Sequence, residues 1–189
     1  MKSTTLIIAI FKFKSTIMKK RLTIFLMAFL ILNASFLRAQ SKISQKDLKP
    51  LIGNWHGSLT YLDYSSGKPY TMPANIQIKL SNGAKDLIIA NTYPNEPKAN
   101  SVDTLKISDN GTMINGETII SIANLKNGSR QIITEISGKD GNDNKAAMIR
   151  HTYTFDKNSY SNRKDVQFAG EKTWIKRHEY LYLKENNRN

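Results

Sequence analysis

Cysteine is absent from the chain of 189 residues, and this absence excludes several kinds of structure. A chain without cysteine forms no disulfide framework, no thiolate metal site and no lipid anchor on a lipobox cysteine. Long apolar runs are scarce as well. The apolar run of residues 22–32 is well short of the roughly 20 residues that a membrane-spanning helix needs. We therefore expect a protein that depends on a packed core.

Acidic residues are missing from the first 39 positions, which hold seven basic residues. Basic residues 19–21 precede the apolar run, and small or polar residues follow it up to Ala39. This order is typical of a signal peptide over residues 1–39, and a membrane anchor is the disfavoured alternative. Met18 stands directly before the basic cluster, so we expect it to be the true start. The mature protein, residues 40–189, is then expected to be soluble and periplasmic or secreted, not a lipoprotein.

The basic character of the chain is concentrated in that first segment. The formal net charge is +13 for the whole sequence, and the seven basic residues before residue 40 reduce it to +6 for the remainder. The other basic residues are scattered without a run of like charges, so we expect no nucleic-acid-binding surface. A segment of about 150 residues forms one domain with its own core.

Secondary-structure signals predict one short helix followed only by strands. The helix is expected over residues 41–51, with Ser44 as its N-cap and Pro50 limiting its length. About ten segments after it show the period-two alternation of strands. Four Asn-Gly dipeptides, at residues 82, 110, 115 and 127, indicate tight hairpins because a type I′ turn needs positive φ at both central residues.

These patterns predict an all-β fold. Regular short strands joined by tight turns favour a single antiparallel up-and-down β-barrel of about 8–10 strands with a short N-terminal helix. Such a meander avoids free edges by pairing its first strand with its last. An outer-membrane barrel is disfavoured because the strands lack aromatic girdles and residues 184–189 are polar.

One motif at the start of the first strand suggests a family. Gly53, Trp55 and Gly57 form a Gly-x-Trp-x-Gly sequence after an apolar helical turn. We expect Gly53 to take the left-handed conformation that ends a helix, and Gly57 to allow close approach of a neighbouring backbone. The motif resembles the opening of calycin-like barrels, which include lipocalins, fatty-acid-binding proteins and nitrobindin-type haem barrels. The resemblance implies that Gly53, Trp55 and Arg177 close one barrel end, with the arginine of the last strand over the tryptophan.

Candidate ligand contacts lie on two predicted strands near the C-terminus. Ile149, His151, Tyr153 and Phe155 share one face, which we interpret as inward. His151 is then a polar group in the interior, able to bind a carboxylate or a haem iron or to serve as a hydrogen-bonded core residue.

Alternation leaves the inward face of the last strand open. If the odd-numbered face is inside, Arg177 and Glu179 are enclosed charges that must pair or meet a ligand. If the even-numbered face is inside, His178 and Tyr180 line the interior. Fatty-acid-binding proteins hold a carboxylate with Arg-x-Tyr on the last strand, but here Arg177 and Tyr180 are three positions apart and face opposite sides.

Enzyme motifs are absent from the sequence: it has no nucleophile elbow, no phosphate-binding glycine loop and no histidine pair at metal-binding spacing. We therefore expect a binding protein and not an enzyme, with a small hydrophobic or amphipathic ligand, fatty acid-like or haem-like, in the barrel. The alternative is a structural or interaction module of the cell envelope with a side-chain-filled barrel. A metal site and an obligatory cofactor are not expected. Haem is the one cofactor that the resemblance to nitrobindin-type barrels allows. The candidate ligand contacts are Tyr61, His151, Tyr153, Arg177 and Tyr180.

Overall fold

The computed structural model of the chain describes residues 42–63, 66–82 and 86–185. The predicted signal peptide, including Met18, lies outside the described residues. Residues 40–189 cluster as one compact unit. Within the described ranges, none of the helices is both long enough and apolar enough to span a bilayer.

Ten antiparallel strands form one sheet that curves into a nearly closed barrel, as the sequence predicted. Consecutive strands are hydrogen-bonded neighbours throughout, except that β4 and β5 form the two ends of the sheet. The strands are β1 (Gly53–Leu62), β2 (Pro69–Leu80), β3 (Leu87–Thr92), β4 (Ser101–Leu105), β5 (Met113–Ile114), β6 (Glu117–Asn124), β7 (Arg130–Asp140), β8 (Lys145–Phe155), β9 (Ser159–Phe168) and β10 (Ile175–Lys184).

The first and last strands seal most of the barrel. Strand β1 pairs with β10 from Trp55 opposite Lys184 to Tyr61 opposite His178, so the predicted closure of first strand on last is confirmed. The remaining seam lies between β4 and β5. An antiparallel bridge from Ile107, just after β4, to Ile114 of β5 spans this seam at one end.

A short 3₁₀ helix, Gln45–Leu51, covers one barrel end. Ser44 precedes it as predicted, and the Ser44 backbone N–H donates to Asp47 Oδ2 at 2.7 Å, which satisfies a donor at the helix start. Leu48 and Leu51 are each 1% exposed, and they pack with Trp55 in the main apolar cluster. The helix therefore acts as an apolar plug.

The glycines of the motif behave differently from each other. Gly57 lies beside β10, and a Cβ there would overlap the Leu181 carbonyl oxygen and lie 2.8 Å from Tyr182 Cδ1, which confirms the predicted close approach. Gly53 has a φ of 140° but begins β1, while Ile52 is the C-cap of the helix with a φ of −67°. The expected left-handed helix cap at Gly53 is therefore wrong, although its positive φ still favours glycine.

One Asn-Gly pair has the predicted turn. Asn115 and Gly116 have φ values of 51° and 82°, which fits a type I′ turn. At residues 110–111 and 127–128 only the glycine has a positive φ, because these turns belong to longer connections. Gly83 lies outside the described residues.

Strand β10 turns its even-numbered side chains inward. Tyr182 is 5% exposed, whereas Leu181 and Leu183 are 51% and 59% exposed. A β-bulge between Lys176 and His178 shifts the register with β9, as bulges do when two residues oppose one. Arg177 and His178 consequently line the same pocket at the barrel end remote from the helix.

Candidate functional site

A cavity of about 370 Å³ lies inside the barrel, and we name it the tyrosine cavity. Five tyrosines line it: Tyr93, Tyr153, Tyr160, Tyr180 and Tyr182. The pairing explains this concentration, because Tyr153 lies opposite Asn162 in β9, and Asn162 lies opposite Tyr180 in β10. The inner faces of three adjacent strands therefore meet in one wall.

The opposite wall comes from β2, β3 and the edge strand β4. Ile76, Ile89 and Leu105 provide its apolar part, while Asn91 and Asp103 add polar side chains. Thr104 and Asn115, which flank the seam between β4 and β5, also belong to the lining. The cavity thus reaches from the tyrosine wall to the incomplete seam of the barrel.

The tyrosine rings pack on one another along this wall. The Tyr180 and Tyr182 rings are stacked, with centroids 5.8 Å apart, and Tyr182 also stacks on Tyr160 at 5.6 Å. The Tyr93 hydroxyl lies 3.0 Å from that of Tyr180, and this hydrogen bond joins β10 to the end of β3. The rings therefore form a rigid, preorganised surface.

Burial sets the protonation of these phenols. Loss of hydration raises the pKa of Tyr153 and of Tyr160 above the ordinary range. The same effect raises the pKa of Tyr182 and, together with the hydrogen bond between the Tyr180 and Tyr93 hydroxyls, that of Tyr180. These four hydroxyls therefore stay protonated at neutral pH, and a protonated phenol is able both to donate and to accept a hydrogen bond.

One buried acceptor in the cavity lacks a donor. Asn162 Oδ1 is buried and has no hydrogen-bond partner among the described residues. Leaving a buried acceptor unsatisfied costs roughly 1–3 kcal/mol. Asn162 belongs to the lining of the tyrosine cavity, so this unsatisfied acceptor lies beside the cavity.

A second pocket, the end pocket, lies at the barrel end remote from the helix. It has a volume of about 560 Å³ and is lined by Tyr61, Asp140, Lys164, Arg177, His178 and neighbouring turn residues. Asp140 Oδ2 accepts a hydrogen bond of 2.5 Å from Lys164 Nζ, and Asp140 Oδ1 lies 2.8 Å from Arg177 Nη2. Both Asp140 and Arg177 have side chains that are 8% exposed. This pocket is therefore built on a buried ion cluster.

The cluster affects the neighbouring imidazole. Burial, followed by the charges of His151 and Lys164, lowers the pKa of His178 to about 4. Burial also lowers the pKa of Arg177. His178 is consequently neutral at physiological pH and is able to accept a hydrogen bond or bind a metal.

The comparisons with known proteins give fold likeness only. No protein-family model matches the chain, and no curated protein matches it. The structure of Rv2717c from M. tuberculosis is similar at 12% identity, covering 75% of this chain and 96% of that chain, with a TM-score of 0.45. A protein with unknown function from the DUF3598 family of Nostoc punctiforme is similar at 11% identity, covering 76% of this chain and 50% of that chain, with a TM-score of 0.43.

The ligand contacts predicted from the sequence fall into two different places. Tyr153 and Tyr180 line the tyrosine cavity, whereas Tyr61 and Arg177 line the end pocket. His151 lies between the two groups, with ring centroids 6.2 Å from Tyr153 and 6.5 Å from His178. The barrel therefore does not bring these five residues to one ligand.

His151 is held by a buried carboxylate. Its Nδ1 lies 2.9 Å from Glu117 Oε2, and the same oxygen accepts a hydrogen bond from the Thr134 hydroxyl. Thr134 is 0% exposed and Glu117 is 9% exposed. This network orients the imidazole, as the hydrogen-bonded core alternative for His151 predicted.

The expected closure of the barrel by Arg177 is wrong. Lys184 takes that place: its Nζ lies 4.8 Å from the Trp55 ring centroid and donates to the Pro50 carbonyl oxygen at 2.9 Å. Arg177 binds Asp140 at the other barrel end because it lies seven positions earlier in the strand and beside the bulge. Trp55 itself is 1% exposed.

Several residues of the tyrosine cavity escaped the sequence analysis. Tyr182 shares the even-numbered face of β10 with Tyr180, and this parity is the signal that would have found it. Tyr160 and Asn162 lie in a strand whose inner face is polar. Tyr93 and Asp103 carry no local signal, since only the curvature of the sheet brings them opposite β10.

A metal site is not apparent in the described part of the chain, where no three histidine or acidic side chains gather as potential ligands. Haem, which a likeness to nitrobindin-type barrels implies, needs an axial ligand such as a neutral imidazole or a phenolate. The protonated phenols of the tyrosine cavity do not fit this need. Neutral His178 in the end pocket does.

Proposed function

We propose that this chain is a calycin-like binding protein that holds a small amphipathic molecule in the tyrosine cavity. The observation that carries the proposal is a cavity of about 370 Å³ lined by five tyrosines and Asn162, whose buried Oδ1 has no hydrogen-bond partner in the described part of the chain. Ligand pockets in proteins measure roughly 300–1,000 Å³ and combine apolar walls with a few polar groups. The volume is near the lower bound, so it favours a compact molecule over a long acyl chain.

The wall chemistry supports a ring-containing ligand with hydrogen-bonding groups. Stacked phenol rings offer flat apolar area with little conformational entropy to lose, and their hydroxyls provide donors and acceptors. A fatty acid carboxylate is disfavoured, because no basic side chain is among the described residues that line the cavity. No catalytic role is needed for this function.

A structural or interaction module with a filled barrel is the alternative. Large inward side chains such as Trp55 and Phe155, each 1% exposed, do fill the barrel beside the helix. The interior next to them contains the tyrosine cavity, however, and this space favours binding.

Haem binding in the end pocket is a second candidate function. The observation in its favour is His178, whose lowered pKa of about 4 keeps the imidazole available as an iron ligand. Lys164 and Arg177 line the same pocket, and a haem propionate would have to share these two cations with Asp140. Haem supplies gas binding or redox chemistry when bound. Addition of haem to the protein should give a Soret band that the His178→Ala variant loses.

Native mass spectrometry tests the main proposal. The protein purified from an exporting bacterial host should show a mass adduct that disappears on denaturation. Ile89→Trp fills the cavity from β3, while Ile88→Trp places the same ring on the outer face of that strand. We expect the adduct to be lost in the first variant and retained in the second. An unliganded mass that persists after incubation with lipid and small aromatic compounds would favour the filled-barrel module.

We further propose that the protein is exported, on the strength of the N-terminal sequence pattern. N-terminal sequencing of the protein from a host periplasm or medium should begin at residue 40. Retention of residues 19–39 in the exported protein would contradict the predicted cut.

A further inference from the structure

The charge of the tyrosine cavity is opposite to that of the chain. Residues 40–189 have a formal net charge of +6, yet Asp103 is the single charged side chain among the described residues that line the cavity. A carboxylate at a cavity wall attracts cations and repels anions. The cavity therefore carries negative charge within a protein whose net charge is positive.

Asp103 is fixed in position and has free acceptor capacity. Its Oδ2 accepts hydrogen bonds from Asn91 Nδ2 at 2.6 Å and from Ser101 Oγ at 3.1 Å. Among the described residues, the hydrogen bonds to this carboxylate go to Oδ2 and not to Oδ1. Asn91 lies in β3, and Ser101 lies in β4 together with Asp103. Paired strands therefore orient the carboxylate before any ligand binds. Preorganisation of this kind lowers the cost of binding.

The remaining polar groups also suit a donor-bearing ligand. The lining includes the Asn162 side chain and five phenol rings, whose hydroxyl oxygens are able to accept hydrogen bonds. Cations are attracted to aromatic rings through the ring quadrupole. An ammonium group donates three hydrogen bonds and accepts none. It is therefore able to bind the acceptors of the cavity and to be attracted by its aromatic rings.

From this combination we infer that the ligand of the tyrosine cavity is a small organic ammonium compound with an aromatic or apolar part. The inference rests on the proposed binding function and adds the charge of the ligand to it. Asp103 holds the ammonium group near the seam, and the tyrosine wall packs against the apolar part. A ligand that carries a carboxylate in place of the ammonium group would be repelled by Asp103.

Isothermal titration calorimetry with three matched phenols tests the inference. Tyramine carries an ammonium group, para-ethylphenol has the same skeleton without charge, and phloretate carries a carboxylate. We expect tyramine to bind about fivefold more tightly than para-ethylphenol, as an exposed carboxylate partner allows, and phloretate to bind weakest.

The variant Asp103→Asn keeps the shape of the side chain and removes its charge. Its affinity for tyramine should fall about fivefold, to that of para-ethylphenol, while its affinity for para-ethylphenol stays unchanged. Asp143→Asn, at an exposed turn, is the matched control and should bind tyramine as the unmodified protein does.

The outcomes separate this inference from the proposal beneath it. Failure of tyramine to bind, equal affinity for tyramine and para-ethylphenol, or an equal effect of the two asparagine variants would overturn the ammonium inference. A retained native adduct that Ile89→Trp removes would leave the binding function standing in each of those cases. If native mass spectrometry also shows no adduct that Ile89→Trp removes, both the ammonium inference and the binding function are overturned.

Discussion

Lys184 lies over the ring of Trp55, with Nζ 4.8 Å from the ring centroid, and its ammonium group donates a hydrogen bond to the Pro50 carbonyl oxygen at 2.9 Å. One side chain of the last strand thereby ties the first strand to the helix that plugs the barrel. We expect Lys184→Met to preserve the packing of the side-chain stem and to lower the free energy of unfolding by about 1 kcal/mol. Urea unfolding measures this change. Lys79→Met, on an exposed position of β2, should have little effect, and equal losses in the two variants would argue against a specific role of Lys184.

Gly57 is needed where β1 passes β10. An added methyl group would overlap the Leu181 carbonyl oxygen, which belongs to a strand held by ladder hydrogen bonds and unable to move freely. We expect Gly57→Ala to destabilise the protein by about 2 kcal/mol or more, as overpacking does. Gly138→Ala is the control, because its methyl group meets the flexible Ile149 Cδ1 at 3.1 Å. Thermal or urea unfolding should find the control close to the unmodified protein.

The buried ion cluster of the end pocket depends on Asp140. Its carboxylate binds Lys164 and Arg177, so Asp140→Asn leaves two cations short of a buried partner. Breaking a buried ion pair typically costs about 3 kcal/mol, and we expect a loss of that size in urea unfolding. Asp143 lies in the following turn with a side chain 73% exposed, and Asp143→Asn should change the stability by less than about 0.5 kcal/mol. Similar effects of the two variants would show that Asp140 is not a structural hub.

The stability of the protein should decrease as the pH decreases, because of His178. A histidine ordinarily has a pKa of 6.5, and burial lowers the pKa of His178 to about 4 in the folded protein, so the unfolded state binds more protons between these pH values. The stability is therefore complete above about pH 6.5 and decreases as the pH falls toward 4, by about 3 kcal/mol in total. Urea unfolding of His178→Gln should show a flatter pH dependence than the unmodified protein. His56→Gln, on the exposed outer face of β1, is the control, and a flattening of the same size there would contradict the assignment.

Local patterns predicted the strands well where the barrel interior is apolar. Period-two alternation located β8 and its inward Tyr153, because buried and exposed side chains differ clearly in polarity there. Strand β9, which begins at Ser159, shows the alternation less clearly. Its inward side chains include Asn162 and Lys164, which line the two pockets. A strand that faces polar cavities loses the alternation that marks it.

The binding site was harder to predict than the fold. Asp103 and Tyr180 lie in strands that are separated by three others in the sheet, and sheet curvature decides that they face one cavity. The bulge beside Arg177 changes which side chains point to the end pocket. No residue type in this segment predicts a bulge. Such features depend on pairing between distant segments, which a single sequence does not specify.

Strand β1 gains its second neighbour only from the C-terminal strand, and Lys184 reaches a carbonyl 134 residues earlier in the chain. A nascent chain emerging from the ribosome is able to form its hairpins one after another, but it has no means of sealing the barrel until β10 has been synthesised. Closure of so long a loop carries an entropic cost, and a high contact order slows folding. The barrel therefore closes only once β1 and β10 are both available for pairing.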